Sequence, residues 1–148
     1  MSIDPNDLLF GEGAPSAKFP TIGASVRGVI DRIDTSQQRD LDGKPKTYED
    51  GNPAMQVVIT LQTDERDPEI ANDEGRRNLY AKGQMRGAIR DAILAAGQQR
   101  IEVGATLAVR YEADEPSTKR GYNAKKIYRA QYQAPAPVTD SLSADSLI

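Results

Sequence analysis

Residues 76–97, RRNLYAKGQMRGAIRDAILAAG, pass from a basic, tyrosine-bearing segment straight into an amphipathic helix. Met85, Ala88, Ile89, Ala92, Ile93 and Ala96 recur at i, i+3, i+4, i+7, i+8 and i+11. That spacing lays one apolar stripe along the helix and leaves Arg86, Arg90 and Asp91 off it. Gly97 ends the helix, as a residue that accepts positive φ does. Ahead of it, residues 76–82 read as a strand with Asn78, Tyr80 and Lys82 on one face and Leu79 and Ala81 on the other.

Working outward, ASVRGVIDRI at 24–33 is β-branched and bounded by Gly23, which predicts a first strand. MQVVITLQT at 55–63 alternates, with Met55, Val57, Ile59 and Leu61 opposed to Gln56, Val58, Thr60 and Gln62. Between them, DGKPKTYEDGNP carries two Asp-Gly pairs and two prolines and reads as a long irregular loop. ATLAVRYEA at 105–113 and YNAKKIYRAQY at 122–132 supply two more strands, with Tyr111, Tyr128 and Tyr132 expected in or near the core. In the last strand, either face fits burial. The order is then strand, long loop, strand, strand, helix, strand, strand. An OB-fold, a mainly β five-stranded Greek-key barrel with one helix between its third and fourth strands, has this order. Another small α+β domain with one covering helix has it as well.

The chain has 148 residues and contains neither cysteine nor histidine. Disulfides, thiolate zinc sites and catalytic groups built on thiol or imidazole are therefore excluded. The acids Asp64, Glu65, Asp67, Glu69, Asp73 and Glu74 surround Pro68 and Gly75 as a solvated turn would and match no metal-loop spacing. No enzyme, cofactor or metal is expected. No apolar run reaches the roughly 20 residues of a membrane span, so a cytoplasmic protein is expected. The net charge of −3 is segregated. Residues 1–23 carry Asp4, Asp7 and Glu12 against Lys18, and residues 134–148 carry only Asp140 and Asp145, leaving the body between them slightly basic. Three units follow: an N-terminal extension (1–23), the folded domain (24–133) and a disordered acidic tail (134–148).

The runs LLFGEGAPSAKFPTIGASVRGVI, MQVVITLQTDERDPEI and LYAKGQMRGAIRDAILAAG resemble a family of actinobacteriophage proteins that are single-stranded DNA-binding-like. The resemblance implies an OB-fold and binding of single-stranded DNA in phage replication or recombination, within the host cytoplasm. An interaction or virion module on the same barrel, without nucleic-acid binding, is the alternative.

Single strands bind where cations track phosphates and aromatic faces stack on bases. Tyr80 beside Lys82 is the expected stacking site, a core or half-buried strand position being the alternative for its ring, and Arg27 on the first strand extends that face. The loop between the first two strands offers Arg39, Lys44, Lys46 and Tyr48, and the loop between the last two offers Lys119, Arg120 and Tyr122. Aromatic residues make up 5% of the chain and tryptophan is absent, so affinity is expected to lean on phosphates and hence on salt. In the tail, Asp140, Asp145, Leu147 and Ile148 loosely resemble the acidic, apolar-tipped tails with which single-stranded DNA-binding proteins recruit replication proteins. This tail has few acids and no terminal aromatic, and a solubilising extension has the same composition. Leu8, Leu9 and Phe10 pack across the barrel or form a contact between subunits.

Overall fold

The computed structural model describes residues 14–115 and 125–136. Five strands and one helix follow in the expected order: β1 (Ser25–Gln37), β2 (Met55–Gln62), β3 (Arg76–Ala81), α1 (Gly83–Ala95), β4 (Thr106–Glu115) and β5 (Lys125–Gln133). The strands form one antiparallel sheet in the order β3-β2-β1-β4-β5. β1 is the shared strand, pairing with β4 through Ser25 to Val29 and with β2 from Val29 to Gln37. A register shift between Ile30 and Arg32 lies within this second half. An extra residue of this kind bends a strand and increases its twist, so the two halves of the sheet can curl around one core.

That core is built from Val26, Ile30, Ile59, Leu61, Leu79, Leu107 and Val109, all at most 3% exposed. Met85, Ile89 and Ala92 of α1 close it, as the apolar stripe requires. On β5 the inward face is the one carrying Tyr128, Ala130 and Tyr132. The Tyr132 hydroxyl accepts a hydrogen bond from the Glu102 backbone N–H at 3.0 Å. Tyr111 donates its hydroxyl proton to Asp114, and that bond together with burial pushes the phenol up to about 12.

β1 runs four residues beyond its predicted end. Asp34, Thr35, Ser36 and Gln37 pair with Val58, Val57, Gln56 and Met55, because ladder hydrogen bonds come from the backbone and continue through polar residues. The loop at 38–54 is not irregular either. Arg39 bridges Pro45 and Thr47 bridges Pro53, so the segment folds back on itself twice. Each reversal ends in an Asp-Gly pair whose glycine takes positive φ, Gly43 at 81° and Gly51 at 87°. Asp40 Oδ1 accepts from the N–H groups of Asp42 and Lys44, and Asp50 Oδ1 accepts from that of Asn52. Asp-Gly is a hairpin signal as much as a loop signal, and here it acts as one.

The expected closed barrel is not made by strand pairing. β3 and β5 end the sheet, and no ladder joins them among the described residues. Two other groups occupy the interval. Ser16 forms a parallel bridge with Asn78, in which the Asn78 N–H donates to Pro15 O and the Ala17 N–H donates to Asn78 O, both at 2.8 Å. Across from it, the side-chain amide of Gln84 behaves as a strand residue would toward β5. Its Oε1 accepts the Tyr128 N–H at 2.6 Å and its Nε2 donates to Tyr128 O at 3.0 Å. Phe19 then packs edge-on against the Tyr128 ring, with centroids 5.2 Å apart. The described part of the N-terminal segment, from Ala14 on, thus packs across the sheet edges. Leu8, Leu9 and Phe10 lie outside the described residues.

The acidic turn between β2 and β3 is organised around a buried ion pair. Asp73 and Arg77 have side chains only 5% and 7% exposed. Arg77 donates through Nη1 and Nη2 to the two Asp73 oxygens, each at 2.8 Å. Those oxygens also accept the N–H groups of Asp67 and Gly75. Asp73 is therefore not part of a solvated turn. The bond to Arg77 and the two backbone donors hold its carboxyl well below the usual carboxylate range. A depressed carboxylate contributes stability that is complete above the unfolded-state value near pH ~4 and is lost as pH falls below it. Thermal melts over pH 2.5–7 should show the native protein losing stability below about pH 4. The Asp73→Asn variant should be less stable at pH 7 and show a flatter acid limb.

Candidate nucleic-acid interface

The ladders fix which side chains share the outer face. Moving from one end of the sheet, Arg129, Arg110 and Ser25 form a row, followed by Gln131, Ala108 and Arg27. Beyond the bend, Arg32, Thr60 and Asn78 form the next complete row, then Asp34, Val58 and Tyr80. Tyr80 is 40% exposed while its neighbours Leu79 and Ala81 are buried, as strand alternation requires. Lys82 follows two residues later, exposed, at the start of α1. The ring, the half-buried Val58 and the lysine make an apolar step with a cation at its rim.

The outer face of β2 and β3 is only partly available. Thr60 is 5% exposed, its hydroxyl donating to Asn78 Oδ1 at 2.6 Å. Asn78 in turn donates through Nδ2 to Ala14 O at 3.1 Å. The row Gln56, Val58, Thr60 and Gln62, opposed by alternation to Ile59 and Leu61, is therefore not an open polar surface. Gln62 is tied to the Glu74 carbonyl at 2.6 Å, and Val58 and Gln56 remain beside Tyr80.

Arg39, Lys44, Lys46 and Tyr48 are all exposed on the double hairpin at 38–54. Arg39 Nη1 donates to Gly43 O at 2.9 Å, which pins that side chain to its own turn. The hairpin springs from the Gln37–Met55 end of the β1–β2 ladder, one or two steps past the pair Val57–Ala81. It therefore stands at the same end of the sheet as Tyr80 and Lys82. Its charge is not basic overall, since Arg39, Lys44 and Lys46 are outnumbered by Asp40, Asp42, Glu49 and Asp50. Arg27 is not brought to this group. Seven residues of β1 separate it from Asp34 in the Tyr80 row, roughly 20 Å of strand. Lys119, Arg120, Tyr122, Asp140, Asp145, Leu147 and Ile148 lie outside the described residues.

Arg27 has a neighbour that periodicity did not single out. Arg110 is exposed on β4, one row from Arg27, in a strand legible from the sequence but scored there only for its inward residues. Elsewhere on this face arginines are paired: Arg129 with Glu112 at 2.7 Å, Arg32 with Asp34 at 3.0 Å and Arg76 with Asp31 at 2.9 Å. Arg27 and Arg110 have no ion-pair partner among the described residues. A groove of about 370 Å³ is lined by Arg27, Ala108, Gln131 and Gln133, by Ala92 and Ala95 of α1 and by Ala96 at its C-cap. Among the described residues, no cluster of three acidic side chains converges to hold a metal ion. No helix there is long and apolar enough to cross a membrane. Comparison of the chain with protein-family models, with curated proteins and with solved structures finds no match.

These placements separate exposed candidate side chains from structural ones by stability alone. Lys82→Ala should leave the melting temperature almost unchanged, and Tyr80→Ala should cost no more than about 1 kcal/mol for the lost cross-strand contact with Val58. Asn78→Ala should destabilise by about 1–3 kcal/mol, because the buried Thr60 hydroxyl loses its acceptor. Chemical denaturation of the three variants checks this ordering.

Proposed function

We propose that this chain is a non-catalytic, sequence-tolerant single-stranded DNA-binding protein with an OB-like architecture. The observation that carries the reading is Tyr80, an outward-facing ring beside Val58 and Lys82, at the sheet end from which a lysine-bearing double hairpin projects. An exposed ring can stack on any base and an adjacent cation can meet the phosphate, a combination that is indifferent to sequence. The OB-like reading draws on the strand order, with β1 shared between two halves of the sheet, and on α1 joining β3 to β4. The proposal includes the phage single-stranded DNA-binding-like family that the sequence resembles, action in replication or recombination in the host cytoplasm, and recruitment of partner proteins through the tail.

One observation favours the alternative of a protein-interaction or virion module. Leu41 is wholly exposed at the tip of the first hairpin. The other large exposed apolar residues, among them Ile22, Val29, Leu94 and Val103, are spread over different parts of the chain.

Fluorescence-anisotropy titration of oligo-dT and a matched duplex at two salt concentrations tests the proposal. Preferential binding of the single strand, weakening as salt rises, is expected. Tyr80→Ala should reduce the single-strand binding free energy by about 1–3 kcal/mol with the salt dependence unchanged. Equal affinity for duplex, or no binding at low salt, overturns the reading.

A further inference from the structure

α1 carries cations that neither the fold nor the sheet uses. Arg86 and Arg90 stand four residues apart and lie along one flank of the helix, roughly 6 Å apart along its axis at 1.5 Å per residue, and Lys82, four residues before Arg86, is the extended residue at the helix N-cap. All three are exposed, and none has an ion-pair partner among the described residues. The helix is held in rotation by Gln84, whose amide is clamped on Tyr128 of β5, and by Met85 and Ile89, which are buried. At about 100° per residue, Arg86 points roughly 200° away from Gln84 and Arg90 a further 40° on, so both emerge on the side away from β5. Asp91 is the helix's one acid, and no acid lies in the first turn. Gly83 and Gly87 lie beside the stripe with open space where a Cβ would be.

Like charges four residues apart weaken a helix. The stripe therefore does not serve the stability of α1, and in a chain of net charge −3 it is a local excess of positive charge. Gly83 takes a positive φ of 55°, which glycine accepts, and Gly87 leaves the helix surface beside Arg86 and Arg90 without a side chain, so a ligand backbone can come close there. Lys82 belongs both to this stripe and to the Tyr80 step. We infer that Lys82, Arg86 and Arg90 form a phosphate track, along which a single strand stacked on Tyr80 continues over the exposed flank of α1. The inference rests on the proposed function and extends it from the sheet to the helix. Charge complementarity selects the occupant: successive cations, with Leu94 as the one large exposed apolar residue beyond them on the helix, suit a polyanionic backbone.

The test uses the full chain and oligo-dT. Glutamine is close to arginine in helix propensity, so R86Q/R90Q should keep its circular dichroism and melting temperature. Each phosphate contact on a single strand contributes about 0.7 to the slope of log affinity against log salt. Losing two should make the variant's affinity drop between 50 and 200 mM salt about 7-fold smaller than the native protein's. R86K/R90K should restore the native salt dependence. If R86Q/R90Q gives the native slope while K82A lowers it, the track ends at Lys82 and the inference fails with the DNA-binding reading intact. Native protein that binds no oligo-dT overturns both. Polyglutamate binding that requires Arg86 and Arg90, with an unaltered DNA slope, replaces the track with an acidic protein partner.

Discussion

Two strand edges must be satisfied for this sheet to enclose a core, and the molecule meets that need without pairing one with the other. An open edge presents N–H and C=O groups that are costly to bury and that invite other strands. β5 is met at Tyr128 by the amide of Gln84, and β3 is met at Asn78 by Pro15 and Ala17. Phe19 then covers the Tyr128 ring, and Lys126 Nζ lies 3.4 Å from Phe19 O, so one short segment touches both edges. The N-terminal segment and the first turn of the helix act here as substitutes for a sixth strand.

That closure sets the outer surface. Because Asn78 is engaged by Ala14, Pro15 and Ala17, its side chain is fixed against Thr60, and the middle of the β2–β3 face is covered. Tyr80, two residues further along, clears the covering segment and is exposed. Gln84 likewise fixes the rotation of α1, which decides that Met85 and Ile89 go inward and Arg86 and Arg90 outward. The same contacts that complete the fold therefore choose which cations and which ring face solvent.

Much of this was legible in the sequence, since alternation and the 3.6-residue stripe report directly on which side chains meet the core. The inward sets Ile59–Leu61, Leu79–Ala81 and Met85–Ile89–Ala92 follow from spacing alone, and so does the outward position of Tyr80. What was not legible depends on partners distant in sequence. Thr60 looks like an outward polar residue until Asn78 is placed against it. Asp73 looks like one acid among six until Arg77, four residues on, folds back onto it. Gln84 has nothing in its local sequence to suggest that it completes a strand edge in β5. The double hairpin was misjudged for another reason: Asp-Gly marks a reversal of the chain, and only the pairing of what flanks it distinguishes a hairpin from a loop.

Charge placement reconciles an acidic chain with a proposed ligand that is itself an anion. Many carboxylates are turned toward their own backbone: Asp40 and Asp50 in the double hairpin, Asp67 and Asp73 in the β2–β3 turn, and Asp34 on the N–H of Thr35. In the double hairpin and the β2–β3 turn, turn geometry sets the position of these acceptors, away from the middle of the sheet face. Glu112, Asp34 and Asp31 sit on that face, each against an arginine. Arg27, Arg110, Lys82, Arg86 and Arg90 are left without such partners among the described residues. At physiological ionic strength, charges further apart than about 8 Å are largely screened from one another. A bound phosphate would therefore respond to the nearest one or two side chains and not to the net charge of the molecule. An overall balance of −3 is on that account compatible with local cation tracks.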